Sequence, residues 1–153
     1  MSAVEQRLAA LGLTVHEVVP PVASYVPAVR TGRYVHISGQ LPIVDGVLLE
    51  TGKVGAEVSA ERAAELAAVC ALNAIAAVKS VAPLDSVTRI VKVTGFVASA
   101  PDFTGQPVVM NGASNLLLEA FGDIGRHARS SLGVAVLPLD APVEVELIVE
   151  LGE

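Results

Sequence analysis

From Ala60 to Ser80 the chain holds neither glycine nor proline, and alanine occupies positions 63, 64, 67, 68, 71, 74, 76 and 77. Ser59 precedes this run as an N-cap residue, and Glu61 falls in the first turn, where the helix dipole favours an acid. The spacing predicts a helix over Ala60 to Ser80. An alanine-rich helix has a thin wall, so a sheet can approach it closely, with Leu66, Val69, Leu72 and Ile75 filling the larger gaps. Such a helix lies flat on a sheet.

The rest of the chain supplies that sheet. Val87 to Val97 is rich in β-branched residues and alternates, as a half-buried strand does. Thr14 to Val19 and Tyr34 to Ser38 read as strands, Val26 to Arg30 as a further candidate, and Thr31-Gly32-Arg33 as the turn of a hairpin. Asp45-Gly46 marks another turn. Ala128 to Val136 and Val143 to Leu151 read as the last two strands. A loop is expected over Pro101 to Pro107, and a second helix over Ala113 to Phe121, stopped by Gly122. Ser2 and Glu5 have capping-box spacing ahead of a short helix near residues 2–12. The pattern is α+β: one domain over residues 1–153, with a mixed sheet and two helices packed on one face. No further helix is available for the other face, which is expected to be buried against copies of the chain.

Composition narrows the function. Apolar residues make up 52% of the chain and aromatic residues 3%, so the core is aliphatic. Glu65 and Asn73 interrupt the longest apolar stretch, which falls short of a membrane span. The N-terminus lacks the basic and apolar regions of a secretory signal, and a cytoplasmic protein is expected. Cys70 stands alone, and His16, His36 and His127 are scattered without metal-ligand spacing, so neither a disulfide nor a metal site is expected. A net charge of −6 without a basic run makes nucleic acid a poor partner.

The most informative segment is Arg126 to Pro138, containing Ala128-Arg129-Ser130 and Leu137-Pro138, followed by Val143-Glu144-Val145-Glu146. Arg129 can bind a carboxylate through two parallel charge-assisted hydrogen bonds; its alternative is a structural ion pair with Glu144 or Glu146. Glu144 can orient and polarise a water, or stand solvated on a strand face that alternation gives also to Glu146 and Glu150. Upstream lie Tyr25 in a Tyr-Val context and Ser38-Gly39-Gln40-Leu41-Pro42. Downstream is Asn115 followed by Glu119-Ala120-Phe121. In this order the elements resemble the RidA/YjgF family, over roughly Val22 to Val149.

That resemblance implies a chorismate-mutase-like/YjgF-like fold assembled as a homotrimer, with sites between subunits. It implies an enamine/imine deaminase that hydrolyses 2-aminoacrylate-like intermediates to 2-keto acids and ammonia without a cofactor. The expected ligand is a small carboxylate-bearing enamine, imine or keto acid. Arg129 would hold its carboxylate and Glu144 would direct water, while Tyr25, Ser38, Gly39, Asn115 and Ser131 would line the site. Tyr25 could equally be an interface residue, and Asn115 a helix cap. A binding or regulatory trimer using the same pocket is the alternative function, and a ribonuclease or translation inhibitor ranks last.

This chain also departs from the family pattern. Ser131 stands where many members carry cysteine, Gly133 where some carry glutamate, and His127 where proline is common. The segment from Pro101 to Asn111 reads as a longer loop. A thiol-dependent role is lost, and the chain is expected to belong to a divergent subgroup.

Overall fold

The structure is a computed structural model that describes residues 1–18, 21 and 23–153. The chain opens with helix α1 (Ala3–Ala10), whose N-cap Ser2 and Glu5 form the reciprocal hydrogen bonds of a capping box. Glu5 also reaches Lys79 Nζ at 2.7 Å. Its carboxyl is lowered to about 2, chiefly by the Lys79 hydrogen bond and then by the Ser2 backbone. Gly12, at φ +77°, takes the left-handed conformation that ends the helix.

The predicted strand at Thr14 to Val19 is corrected. Thr14 to Val18 pair with no strand, and Val19 lies outside the described residues. Val15 is buried and Val18 packs against the core, so the β-branched pattern there reflects burial without a ladder. The first strand is β1 (Ala28–Thr31), joined through Gly32 and Arg33 to β2 (Tyr34–Gln40). A small hairpin, β3 (Ile43–Val44) and β4 (Val47–Leu48), turns at Asp45-Gly46, both at positive φ. Asn73 pins this hairpin by donating to the carbonyls of Leu41 and Ile43.

Helix α2 (Ala60–Lys79) begins at Ser59, whose hydroxyl accepts from the Arg62 amide. Its alanine face is buried together with Leu66 and Ile75. Strand β5 (Val87–Ala98) follows, then helix α3 (Gln106–Phe121), β6 (Ala128–Val134) and β7 (Val143–Leu151). The five long strands lie in the order β1-β2-β7-β5-β6. Among these five, β5 and β6 are the parallel pair, with α3 as their crossover.

The second helix is also corrected: it begins at Gln106, seven residues before its predicted start, and the preceding loop is correspondingly short. Pro107 is tolerated because the first turn has no intrahelical acceptor for its missing N–H. Asn111-Gly112, read as a break, lies inside the helix. Gly112 serves the contact between helices, because a Cβ there would collide with the Ala64 carbonyl of α2.

Alternation along β7 buries Val143, Val145, Leu147, Val149 and Leu151 under the helices. The opposite, open face carries Glu144, Glu146, Ile148 and Glu150. Cross-strand register adds His36, Lys92 and Thr94 to it. No helix among the described residues is long and apolar enough to cross a membrane.

Candidate functional site

The predicted site residues fall into two groups on opposite faces of the sheet. On the helix side, β6 is an edge strand, and its register with β5 sets Arg129 beside buried Val93 and Ser131 beside Gly95. Both side chains therefore face α3. Arg129 Nη1 donates to Asn111 Oδ1 at 2.9 Å and to Ser114 Oγ at 3.1 Å. Its Nη2 donates to the Pro107 carbonyl at 3.2 Å. Three of the guanidinium's five N–H groups are thus committed to α3. Among the described residues, the Nε–H and the second Nη2–H have no partner.

The alternative expectation, an ion pair between Arg129 and Glu144 or Glu146, is corrected by this placement. Those glutamates project from the other face of the sheet. Ser131 Oγ is enclosed and has no hydrogen-bond partner among the described residues. Asn115 is exposed on α3, one turn beyond Asn111. It caps nothing, because the helix N-cap is Gly105.

On the open side, Ser38 and Gly39 occupy a bulge where the β2–β7 register shifts between Ile37 and Gln40. Ser38 Oγ donates to the Val26 carbonyl at 2.7 Å, and the Ser38 amide donates to the Pro27 carbonyl. This ties the chain just after Tyr25 to the bulge, while the Tyr25 side chain remains 56% exposed. Gly39 leaves room for Glu144: a Cβ at residue 39 would strike the Glu144 carboxylate. Glu144 is half-buried, and its carboxyl is raised above the ordinary range by burial and then by repulsion from Glu146. It therefore holds a proton more readily than a surface glutamate does. Beside this group lies a concavity of about 310 Å³, lined in part by His36, Ser38, Lys92, Thr94 and Glu146.

A single protomer therefore brings Ser38, Gly39 and Glu144 together at one place and Arg129 and Ser131 at another. Asn111 and Ser114, whose side chains hold Arg129, and His127, which hydrogen-bonds Ser114, were not among the predicted site residues. A helix starting at Gln106 was the missing signal, since Asn111 and Ser114 then share a face at i, i+3 spacing. Cys70 is fully buried, and desolvation raises its thiol well above the usual range, consistent with core packing. No group of His, Cys, Asp or Glu among the described residues is placed to hold a metal ion.

Comparison with known proteins sets this geometry in context. The family described as "YjgF/chorismate mutase-like, putative endoribonuclease" matches residues 5–151. The chain belongs to the YjgF/RidA family. Protein TCP17 of Trypanosoma cruzi is 42% identical over 151 residues, covering 97% of this chain and 94% of that protein. The crystal structure of Atu1372 from Agrobacterium tumefaciens shares 42% identity and a TM-score of 0.92, covering 97% of this chain and 92% of that one. The YjgF gene product of E. coli shares 29% identity and a TM-score of 0.58, covering 88% and 93%. The difference between those two scores marks a divergent subgroup of the YjgF/RidA family.

Proposed function

We propose that this chain hydrolyses small enamine and imine acids to 2-keto acids and ammonia, at sites completed between copies in a homotrimer. The observation that carries the reading is the state of Arg129, whose Nη1 side is spent on α3 while its Nε–H and one Nη2–H stay unpartnered. A held guanidinium that keeps an Nε–H and an Nη2–H in reserve suits the two oxygens of a carboxylate.

In this reading 2-aminoacrylate first tautomerises to 2-iminopropanoate, whose C=N carbon is electrophilic without a cofactor. Water adds to that carbon, giving up a proton to Glu144. That proton passes to nitrogen, giving the neutral carbinolamine; the carbinol O–H proton then passes through Glu144 to the same nitrogen, and the C–N bond breaks as the C=O bond forms, releasing ammonia and pyruvate. A half-buried carboxylate with a raised proton affinity is a better base than an ordinary one. Arg129 and Glu144 lie on opposite faces of one sheet, so they meet only when one copy's open face is set against another copy's β6 edge. Exposed Val29, Tyr34 and Leu132 supply apolar surface for such packing.

The carboxylate-binding trimer remains the second reading, because the Arg129 arrangement is complete within one chain and binding needs nothing more. The acidic balance of the chain weighs against the ribonuclease or translation-inhibitor reading.

The test is release of keto acid and ammonia from freshly generated 2-aminoacrylate and a panel of bulkier imines. It is joined to pyruvate titration of the wild type and Arg129→Lys, after light scattering has established the assembly of each. Lysine keeps the charge but loses the fork, and about ten- to a hundredfold weaker pyruvate binding is expected. Equal affinities would defeat the anchor assignment, and a stable monomer would remove the between-subunit site.

A further inference from the structure

Ser114 is a buried polar side chain, at 9% exposure, and its hydroxyl accepts a hydrogen bond from the Arg129 guanidinium. Its Oγ lies 2.8 Å from His127 Nε2, and His127 Nδ1 lies 2.6 Å from the Gly125 carbonyl oxygen. Proton positions follow from what each group can do. Guanidinium only donates, so Ser114 Oγ accepts from Arg129. A carbonyl only accepts, so Nδ1 carries a proton and donates to Gly125. In the neutral ring Nε2 is then bare and accepts the Ser114 hydroxyl proton. Each link from Arg129 through Ser114 and His127 to Gly125 then joins one donor to one acceptor. With Nε2 protonated as well, the Ser114 hydroxyl proton would lose that acceptor, and a second cation would sit two hydrogen bonds from the guanidinium.

Both ends of this chain of bonds are fixed to the same helix. Gly125 is buried with its Cα against the α3 backbone, where a side chain would collide with the carbonyl of Leu117. At the other end, Asn111 takes the second Nη1 proton. The free edge of Arg129 is thereby given one orientation.

We propose that His127 and Ser114 are positioning residues, a relay from the Gly125 carbonyl that fixes the rotation of the Arg129 guanidinium so that its Nε/Nη2 edge meets a ligand. This rests on the reading of Arg129 as a carboxylate anchor. Neither residue touches the substrate. Each acts through Arg129.

The test uses ¹⁵N-labelled full-length protein as wild type, Ser114→Ala, His127→Leu and His127→Gln. In the wild type, nitrogen spectra are expected to place the His127 proton on Nδ1 and to show separate, slowly rotating Nη protons for Arg129. Those separate signals collapse in Ser114→Ala and His127→Leu. They survive in His127→Gln, whose amide oxygen can take the Ser114 proton. Pyruvate affinity falls about tenfold in the first two variants, the scale of one lost hydrogen bond, and returns towards wild type in the third.

A proton on Nε2, or Arg129 signals unchanged in the first two variants, would overturn the relay. So would lowered thermal stability with unchanged pyruvate affinity, which would make these residues mere ties between β6 and α3. If Ser114→Ala does not fold, the two His127 variants carry the same comparison. If the spectra behave as expected but neither wild type nor Arg129→Lys binds pyruvate, the relay stands and the anchor reading falls.

Discussion

The two faces of the sheet treat their charged residues differently. Under α3, Arg129 is held by three hydrogen bonds from one helix, and the group that holds it is itself anchored to backbone. On the open face, Glu144 sits half-buried beside a like charge, with its proton affinity raised. The hydrogen bonds that orient Arg129 are made within one chain. A group held in an unfavourable state on an otherwise uncovered face has the character of a functional position, since folding alone gains nothing from it. The contrast is what a binding half and a reacting half, joined by assembly, would look like.

The sharpest way to break that comparison is Glu144→Gln. The amide keeps the shape but cannot serve as a carboxylate base, so turnover of 2-aminoacrylate should fall by about a hundredfold or more while pyruvate binding is retained. Steady-state rates and calorimetric titration on one preparation check both halves. Unchanged turnover would return the protein to the binding reading.

Gly39→Ala probes the same carboxylate from across the bulge. The added Cβ meets the flexible end of Glu144 and displaces it, with little cost to the fold. A shift of about an ångström in a reacting group costs on the order of ten- to a hundredfold in rate. The expected outcome is a slower enzyme with near-normal thermal stability and pyruvate affinity. A normal rate would mean that the position of Glu144 over Gly39 does not matter.

Stability against pH distinguishes the faces without any substrate. A carboxyl whose folded-state value is raised binds its proton more tightly when folded. The contribution of Glu144 to wild-type stability should therefore be lost as pH rises from the ordinary glutamate value of 4.5 through the raised one. Glu144→Gln lacks this loss. Urea unfolding should find the variant at least as stable as wild type at neutral pH, with any difference closing in acid. A variant less stable at neutral pH would show that the charged form of Glu144 is favoured by the fold.

Local chemistry made much of this architecture readable. Ser59 and the uninterrupted run after it define α2, because cap and composition agree, and β5 and β7 declare themselves by alternation. Reading failed where one local pattern has two uses. Thr14 to Val18 has strand composition but no ladder, and burial of Val15 explains its apolar residues equally well. Asn111-Gly112 resembles a turn, yet the glycine is demanded by the backbone of α2, which sequence spacing does not reveal. That error hid part of the site: with α3 starting at Ala113, Asn111 falls in a loop, and Ser114 has no reason to meet Arg129. Arg129 and Glu144 were visible as motif residues, but their separation on opposite faces needed the sheet order.

The smallest expected effect belongs to Ser131→Cys, which restores the residue many family members carry. Ser131 Oγ is enclosed under α3 without a partner among the described residues, so its hydroxyl carries a desolvation cost that no hydrogen bond offsets. A thiol is a weaker donor and acceptor and tolerates an apolar enclosure better. Sulfur is also larger than oxygen, and the neighbouring Gly95 already makes room for Met110, whose side chain fills the space a Cβ would need. The two effects oppose one another, and the net change in stability should stay within about 1 kcal/mol. Turnover should change little, because the proposed chemistry takes its carboxylate grip from Arg129 and its base from Glu144. Paired urea unfolding and 2-aminoacrylate assays decide the matter, and a large gain in rate would move the missing thiol into the reaction and the reacting centre onto the helix side of the sheet.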